Sequence, residues 1–313
     1  MSSAAPDVIA VAESLSSACR GRVEHDFPLA TMTTFRIGGP ADIFIEAESV
    51  DDLAAAAEAA RDAGLQILVL GKGSNVLVAD AGVRGMVIRL GRGFRWSRIE
   101  GTLLSAGAAM PLPALAGAAA AKGLSGVEFC IAIPGSLGGG VRMNAGAQGG
   151  TMADVVEVVE VFSLDSGAIV EVPGEEAGFR YRGSDLPGMG LVTAARLRLE
   201  PADPQLIRDR MSETRAWRRE TQPLAEPNCG SVFRNPPEGH AARLIEEAGA
   251  KGMSVGGASI STKHANFIVA SEGATAADVM TLIEHVQQQV EDVFGVRLER
   301  EVQLVGDFGL GGS

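Results

Sequence analysis

The spacing of apolar residues along the chain predicts an α+β protein. In several segments apolar residues recur every three or four positions, which is the period of a helix packed on a core. This period predicts helices at residues 51–63, 204–219, 241–248 and 275–294, with a shorter amphipathic segment within 1–20. Continuous or alternating apolar runs predict strands at residues 41–47, 65–70, 86–90, 155–162, 169–172, 191–199 and 296–305. Residues 131–150 and 221–237 are expected to be loops.

The helix predicted at 275–294 has the clearest ends and the clearest buried face. Thr275 followed by Asp278 is a capping pattern, and Gly295 suits the position after the helix. The expected buried face consists of Val279, Leu282, Ile283, Val286, Val290 and Val293. The helix at 51–63 has the same signals at its ends: Ser49 with Asp52 is a capping pattern, and Gly64 suits the position after the helix. Both helices are therefore predicted from local sequence.

Charge limits the partners of this chain. The formal net charge of −12 would repel a phosphate backbone, so we expect no nucleic-acid partner. An anionic small molecule would still bind where cations or main-chain N–H groups cluster.

Cysteine and histidine usage gives no sign of a disulfide framework or a metal site. The three cysteines form no Cys-x-x-Cys pair, and the four histidines lack the spacing of metal ligands. The N-terminus lacks the basic region of a secretory signal, and no run of about 18 apolar residues suggests a membrane span. We therefore expect a soluble, cytoplasmic protein without metal or membrane contact.

Two glycine-rich segments are the first candidates for a binding site. The first, residues 71–75 (GKGSN), follows a predicted strand, and the second has five glycines within residues 135–146. Glycine allows main-chain N–H groups to approach a phosphate closely. Neither segment has the spacing of a P-loop or of the Gly-x-Gly-x-x-Gly fingerprint. Together they could grip two halves of a dinucleotide, although each could also be a flexible surface turn.

Motifs in register along residues 25–306 resemble the UDP-N-acetylenolpyruvoylglucosamine reductase family. The segments that carry the resemblance are residues 34–40 (TFRIGGP), 71–75, 134–146, 181–184 (YRGS), 230–236 (GSVFRNP), 256–267 and 298–302 (LEREV).

The resemblance implies a fold and a domain arrangement. The fold is α+β, with a two-part FAD-binding region of the vanillyl-alcohol-oxidase (PCMH) type followed by a C-terminal α+β substrate-binding domain. We expect an N-terminal segment at 1–24, the FAD-binding region at 25–203 with its subdomains divided near 90–100, the C-terminal domain at 204–306, and a tail at 307–313.

The resemblance also implies a reaction in peptidoglycan precursor synthesis. NADPH would reduce non-covalently bound FAD, and UDP-N-acetylglucosamine enolpyruvate would then be reduced in the same cleft to UDP-N-acetylmuramate. Ser231 would donate the proton, while Arg182 and Glu301 would bind and polarise the carboxylate. Taken alone, these three could be a turn serine, a surface charge and part of a solvated strand face. No other partner is implied, and a monomer is favoured.

The remaining site residues follow from the same resemblance and from the loops. Contacts to FAD are expected from Arg36, Gly71, Lys72, Gly73, Ser74, Asn75, Pro134, Gly135, Ser136, Gly138, Gly139, Asn144 and Gly146. Contacts to substrate are expected from Tyr181, Arg234, Asn235, Lys263 and His264, although a structural hydrogen bond is an equal possibility for the last two.

Some positions depart from the family pattern. Arg234 stands where lysine is commoner, and no tyrosine follows Tyr181, so the chain resembles the shorter class that lacks a tyrosine-bearing insertion. Cys229 is expected to be inert packing. Two other functions stay open: another FAD-dependent oxidoreductase of the same fold class, acting on an alcohol or hydroxy acid, and a non-catalytic flavin binder. No histidine lies between His25 and His240, which argues against histidyl attachment of FAD.

Overall fold

The computed structural model describes residues 7–237 and 239–309, which form two compact units. Within the described residues, the first unit consists of 7–26, 42–72 and 85–217, and the second consists of 27–41, 73–84, 218–237 and 239–309. The chain therefore passes more than once between the units, so each unit combines segments that are distant in sequence.

The helices and strands of the described residues are as follows. The α-helices are α1 (Val8–Ala18), α2 (Val50–Ala63), α3 (Leu112–Ala121), α4 (Leu137–Arg142), α5 (Pro204–Thr221), α6 (Ala241–Glu247) and α7 (Ala276–Phe294). The strands are β1 (Arg22–Pro28), β2 (Pro40–Ala47), β3 (Ile67–Val69), β4 (Val76–Val78), β5 (Val83–Leu90), β6 (Ser97–Glu100), β7 (Leu103–Gly107), β8 (Leu124–Ser125), β9 (Gly146–Ala147), β10 (Gly150–Thr151), β11 (Val156–Phe162), β12 (Ile169–Pro173), β13 (Leu191–Arg198), β14 (Glu200–Pro201), β15 (Asn228–Ser231), β16 (Ser254–Val255), β17 (Ala258–Ile260), β18 (Phe267–Ala270) and β19 (Gln303–Val305).

The first unit has two hydrophobic cores, each built on its own sheet. A four-stranded sheet in the order β1-β2-β5-β3 packs with α1 and α2 around Ile43, Ile45 and Ile88. A five-stranded antiparallel sheet in the order β12-β11-β13-β7-β6 packs with α3 and α4 around a second core. Helix α5 buries Ile207 and Met211 in that second core. The predicted domain boundary at 203/204 precedes α5, whereas the division between the compact units follows Trp217.

The second unit has one core between a small sheet and two helices. Strands β15-β18-β17-β16 form the sheet, and β19 pairs with β4 in parallel. Helices α6 and α7 cover this core with fully buried apolar side chains. On α7 these are Val279, Leu282, Ile283, Val286 and Val290, as predicted, but Val293 is 56% exposed because the last turn extends beyond the core.

Both predicted capping patterns are confirmed. The Ser49 hydroxyl accepts a hydrogen bond from the Asp52 N–H at the start of α2, and Thr275 forms a reciprocal capping box with Asp278 at the start of α7. The glycine after each helix is left-handed. Local hydrogen bonding therefore defines these helix ends, as expected for capping residues.

Four local expectations are wrong in whole or in part. The segment at 131–150 contains helix α4, and the segment at 221–237 contains strand β15. The predicted strand at 296–305 is short, because only β19 and a bridge between Arg300 and Phe233 pair there. The strand predicted at 65–70 is likewise reduced to β3, whose residues are half-buried. The glycines of α4 hid its helical character in the sequence. The strands β3, β15 and β19 have only three or four residues each, so the sequence did not give their extents.

Two searches of the described residues gave negative results. None of the helices within 7–237 and 239–309 combines the length and apolar character needed to cross a bilayer. In the same residues, histidine, cysteine, aspartate and glutamate side chains form no group of three that could hold a metal ion.

Candidate active site

A cavity of about 250 Å³ lies within the first unit. Strand β3 and Leu70 form one apolar side, and residues at the start of β13 form another. The half-buried state of β3 fits this position, since Ile67 and Val69 pack against the core of the four-stranded sheet and also border the cavity. Five of the residues predicted to contact FAD line this cavity: Gly71, Lys72, Ser136, Gly138 and Gly139.

The charges that line the cavity are all positive. Lys72, Arg89 and Arg142 border it, and no acidic side chain is among the described lining residues. The whole chain has a formal net charge of −12, so this concentration of cations is local. A cavity with apolar walls and several cations favours a ligand that combines a flat apolar group with an anionic one.

The glycine-rich segment is fixed against the strand-to-helix connection at 108–112. The Gly138 N–H donates to the Ala108 carbonyl over 2.9 Å, and the Leu137 N–H donates to Met110 over 2.8 Å. A Cβ added at Gly138 would lie 2.8 Å from the Ala108 Cβ, so only glycine permits this approach. Pro134 and Gly135 precede this contact without lining the cavity, and the Gly135 carbonyl accepts from the Leu112 N–H.

Arg142 is a cavity residue that the sequence analysis missed. It is the last residue of α4, and its guanidinium has no hydrogen bond or ion pair with another described residue. The side chain is exposed at the cavity, and desolvation by the neighbouring protein atoms lowers the pKa of Arg142. An arginine stays cationic under such a shift, so it presents an uncompensated positive charge. The available signal was a basic residue inside the glycine-rich motif.

Asn144 and Gly146 follow α4 but do not line the cavity. The Asn144 amide donates to the Arg180 carbonyl over 3.1 Å and accepts from the Ala153 N–H over 2.8 Å. A Cβ on Gly146 would lie 3.4 Å from Nη1 of Arg182. The segment expected to hold FAD thus also contacts the segment that carries Arg182.

Tyr181 and Arg182 lie at the tip of a tight turn in the first unit. Arg180 and Gly183 exchange two main-chain hydrogen bonds across this turn. Tyr181 is 53% exposed, and the Arg182 guanidinium carbon lies 5.0 Å from the centre of its ring, a cation–π distance.

In the second unit, main-chain hydrogen bonds bring Ser231 and Glu301 together. Ser231 ends β15, opposite Phe267, and the carbonyl of the next residue, Val232, accepts from the Glu301 N–H over 2.8 Å. The Asn75 amide donates to the Glu301 carbonyl over 3.3 Å, and the Asn75 carbonyl accepts from the Gln303 N–H. The predicted catalytic set is thus divided, with Arg182 in the first unit and the other two residues in the second.

Asn266 fixes the strand end that carries Ser231. Its side chain accepts from the Phe233 N–H over 2.9 Å and donates to the Phe233 carbonyl over 2.8 Å, while the Asn266 carbonyl accepts from Val232 N–H. Asn266 is buried, so these bonds are shielded from water. Asn266 lies within the segment 256–267, but its partner Phe233 is 33 residues away, so the sequence did not indicate this role.

The other residues assigned to the FAD loops belong to the second unit. Thr34 donates from its N–H to the Gly73 carbonyl over 3.0 Å, next to Arg36, which is exposed and left-handed at φ 58°. The Ser74 carbonyl lies 3.9 Å from the position that a Cβ on Gly230 would occupy. Arg36, Gly73, Ser74 and Asn75 therefore lie on segments that adjoin the Ser231 strand.

The residues expected to contact substrate have protein partners. Asn235 accepts from the Ala241 N–H at the start of α6, and the Lys263 ammonium donates to the Arg219 carbonyl near the end of α5. Arg234 lies 3.7 Å from Glu299, and its buried Nε has no hydrogen-bond partner among the described residues. Burial lowers the pKa of His264, whose Nδ1 accepts from the Asn266 N–H.

Cys229 is buried in the core of the second unit, which α6 and α7 cover. Burial raises the pKa of its thiol, and the nearby Glu301 carboxylate raises it further. Because the thiolate is the reactive form, this thiol is held unreactive.

Comparisons with known proteins identify the family. The family profile "FAD binding domain" matches residues 41–173, and "UDP-N-acetylenolpyruvoylglucosamine reductase, C-terminal domain" matches residues 222–305. The reductase of that name from Heliobacterium modesticaldum is 46% identical over 292 residues, which cover 93% of each chain. The one from Anoxybacillus flavithermus is 42% identical, covering 94% of this chain and 98% of its own.

A solved structure agrees with the sequence comparison. The crystal structure of UDP-N-acetylenolpyruvylglucosamine reductase from Thermus caldophilus is 40% identical, with a TM-score of 0.80, and covers 91% of this chain and 99% of its own. The predicted fold class, an α+β protein with an FAD-binding region of the PCMH type, is thereby confirmed. The chain belongs to the UDP-N-acetylenolpyruvoylglucosamine reductase family and is an FAD-containing oxidoreductase.

Proposed function

We propose that this protein reduces UDP-N-acetylglucosamine enolpyruvate to UDP-N-acetylmuramate with electrons from NADPH, as a step in peptidoglycan precursor synthesis. The observation that carries this proposal is the 46% identity over nearly the whole chain to a reductase of that name. The proposal includes a cytoplasmic location and a monomeric enzyme without nucleic-acid partners.

The cavity of the first unit fits FAD. Its apolar walls suit a flat ring system, and its three cations with no acid suit a diphosphate. Lys72, Ser136, the Gly138–Gly139 main chain and Arg142 would hold the cofactor. When bound, FAD supplies the redox chemistry between NADPH and the enol ether.

Ser231 is the proposed proton donor. Addition of hydride to the terminal carbon of the enol ether places negative charge on the pyruvyl carboxylate, and the neighbouring carbon must then receive a proton. A serine hydroxyl is a poor acid in water, so its donation requires a site from which water is excluded. The bonds from Asn266 to Phe233 hold the main chain just after β15, which limits the positions open to the Ser231 side chain.

Arg182 and Glu301 are proposed to stabilise the charge that develops on the substrate carboxylate. A guanidinium can bind a carboxylate through two parallel hydrogen bonds, which orients it as well as neutralising it. Glu301 can assist only while protonated or while hydrogen-bonded to a donor, because a bare carboxylate would repel the substrate.

The nucleotide-sugar part of the substrate is assigned to the second unit and to Tyr181. Arg234, whose Nε has no hydrogen-bond partner within 7–237 and 239–309, is the cation proposed to meet the substrate diphosphate. Asn235, Lys263 and His264 would contact the sugar or the phosphates. Each would use the side-chain donors or acceptors that are not engaged in its hydrogen bond to protein.

The proposal is tested by following the flavin spectrum of the purified protein without oxygen. NADPH should bleach the flavin absorbance, and UDP-N-acetylglucosamine enolpyruvate should restore it. Bleaching without recovery would reject the substrate, and an alcohol or hydroxy acid that bleached the oxidised protein would favour the oxidase alternative. Acid denaturation should release the flavin, whereas flavin retained on the chain would contradict non-covalent binding.

A further inference from the structure

The turn that carries Arg182 has an unfavourable backbone. Arg180 and Gly183 exchange main-chain hydrogen bonds of 3.0 and 3.1 Å, which leaves Tyr181 and Arg182 as the two residues at the tip. Arg182 has φ 54°, a left-handed conformation that a residue with a Cβ disfavours. An exposed turn of this kind would relax to other conformations unless its two ends were fixed.

Two buried polar side chains fix those ends. The Asn144 amide donates to the Arg180 carbonyl over 3.1 Å, at the residue where the turn begins. The Ser184 hydroxyl donates to the Arg142 carbonyl over 2.6 Å, directly after the turn. Asn144 and Ser184 are 7% and 4% exposed, so water does not compete effectively for these bonds.

Both of these hydrogen bonds, which we call the anchors of the turn, connect it to the segment 142–144. Arg142 ends α4, whose earlier residues Gly138 and Gly139 line the cavity, and Asn144 follows two residues later. Asn144 is itself left-handed at φ 42°, and its Oδ1 accepts from the Ala153 N–H over 2.8 Å. Its amide oxygen and amide nitrogen therefore both have protein partners, which favours a role in holding the protein over direct contact with FAD.

We propose that Asn144 and Ser184 are positioning residues that hold the Tyr181–Arg182 turn against the cavity-lining segment. This inference rests on the proposed function only where it predicts rates, since those depend on the role of Arg182. Loss of either anchor would let the turn sample other conformations while the cavity itself stays intact.

Tyr181 offers a direct probe of this turn because it is the sole tyrosine of the chain. FAD-loaded protein labelled with 3-fluorotyrosine should give a single fluorine NMR resonance. The variants are Ser184→Ala and Asn144→Asp, which removes the donor to Arg180 and keeps the acceptor for Ala153. The matched control is Ser125→Ala, which also removes one serine hydrogen bond of 2.6 Å in the first unit.

We expect the Tyr181 resonance to shift or broaden in both anchor variants and to stay unchanged in the control. Flavin content and the rate of reduction by NADPH should remain within about twofold of the parent protein. Re-oxidation by UDP-N-acetylglucosamine enolpyruvate should slow roughly 10- to 100-fold, as expected when a catalytic group is misplaced. Arg182→Ala measures the full contribution of the side chain that the anchors position.

An unchanged resonance in both anchor variants would overturn the inference. Equal slowing of both half-reactions with loss of flavin would also overturn it, because it would indicate a general structural role. If the resonance changes but neither the anchor variants nor Arg182→Ala slow re-oxidation, the anchoring is supported and the role proposed for Arg182 fails.

Discussion

The cavity of the first unit and the Ser231 segment of the second unit obtain their chemistry in different ways. In the cavity, binding depends on shape and charge together. Apolar strands and glycines leave an open space, and the positively charged residues Lys72, Arg89 and Arg142 line it. The Ser231 segment depends on main-chain hydrogen bonds, which hold a hydroxyl and a carboxylate on neighbouring pieces of chain. Substitutions in the cavity should therefore change cofactor binding, and substitutions in the Ser231 segment should change the rate of one chemical step.

Ser231→Ala gives the largest expected effect. Reduction of the flavin by NADPH should stay fast, while re-oxidation by the enolpyruvyl substrate should slow roughly 10²–10⁴-fold, about 3–5 kcal/mol in barrier height. Stopped-flow absorbance of the flavin measures both steps. Ser254→Ala, an exposed serine of the second unit, serves as the control and should change neither. Equal slowing of both steps would remove Ser231 as the proton donor.

Glu301→Ala should affect the same step less strongly. Loss of one group that stabilises developing charge typically costs about 10²-fold in rate, and flavin reduction should again be spared. The control is Glu284→Ala, at an exposed glutamate of α7 that lies outside the Ser231 segment, and it should change neither step. Re-oxidation at the parental rate in Glu301→Ala would exclude Glu301 from the mechanism.

Asp52→Asn should destabilise the first unit through lost hydrogen bonds. The buried Asp52 carboxylate accepts from the N–H groups of Arg20, Gly21 and Glu48, and we expect a cost of about 2–3 kcal/mol. The comparison is Asp80→Asn in the second unit, where an exposed carboxylate caps α7 and the expected cost is about 1 kcal/mol. Urea unfolding of each variant measures the two costs, and equal losses would contradict this difference.

The pH dependence of the Asp52 contribution has a defined sign. Burial opposes ionisation, but the hydrogen bonds from Glu48, Arg20, Ser49 and Gly21 outweigh it and lower the pKa of Asp52. The unfolded state therefore binds the proton more tightly, so the stabilisation is present above the ordinary aspartate pKa of about 3.9 and is lost as pH falls through the lower folded value. The difference in unfolding free energy between parent and Asp52→Asn should shrink below about pH 4.

Arg142→Met should weaken FAD binding by about tenfold, or about 1.4 kcal/mol, and should leave riboflavin binding unchanged. Riboflavin lacks the diphosphate, so this pair of ligands separates a charge effect from a packing effect. Fluorescence titration of the apoprotein measures both affinities, with the exposed Arg98→Met as the control. An equal loss for riboflavin would indicate that Arg142 acts by packing.

Local sequence was sufficient for much of the fold. Helix α7 could be predicted because its period and its capping residues act within the helix itself. The strands β11 and β12 and the turn between them follow from alternation around Gly167 for the same reason. Helix α4 could not, because its three glycines disfavour a helix in isolation. Tertiary packing stabilises it: Leu137 and Val141 are buried, and a Cβ on Gly140 would lie 2.9 Å from Leu112.

In the candidate site, too, some features could be predicted from the sequence and others depended on tertiary packing. Motifs in the sequence by themselves determined the family, the FAD chemistry and the identity of Ser231, Arg182 and Glu301 as candidates. Only the tertiary structure decided that Arg142 borders the cavity and that Asn144 donates to the Arg180 carbonyl, where the turn that carries Arg182 begins. The physical reason is that a motif records which side chains are present, whereas their partners lie on segments distant in sequence. Burial and hydrogen bonding between those segments then determine which polar groups stay available for a ligand.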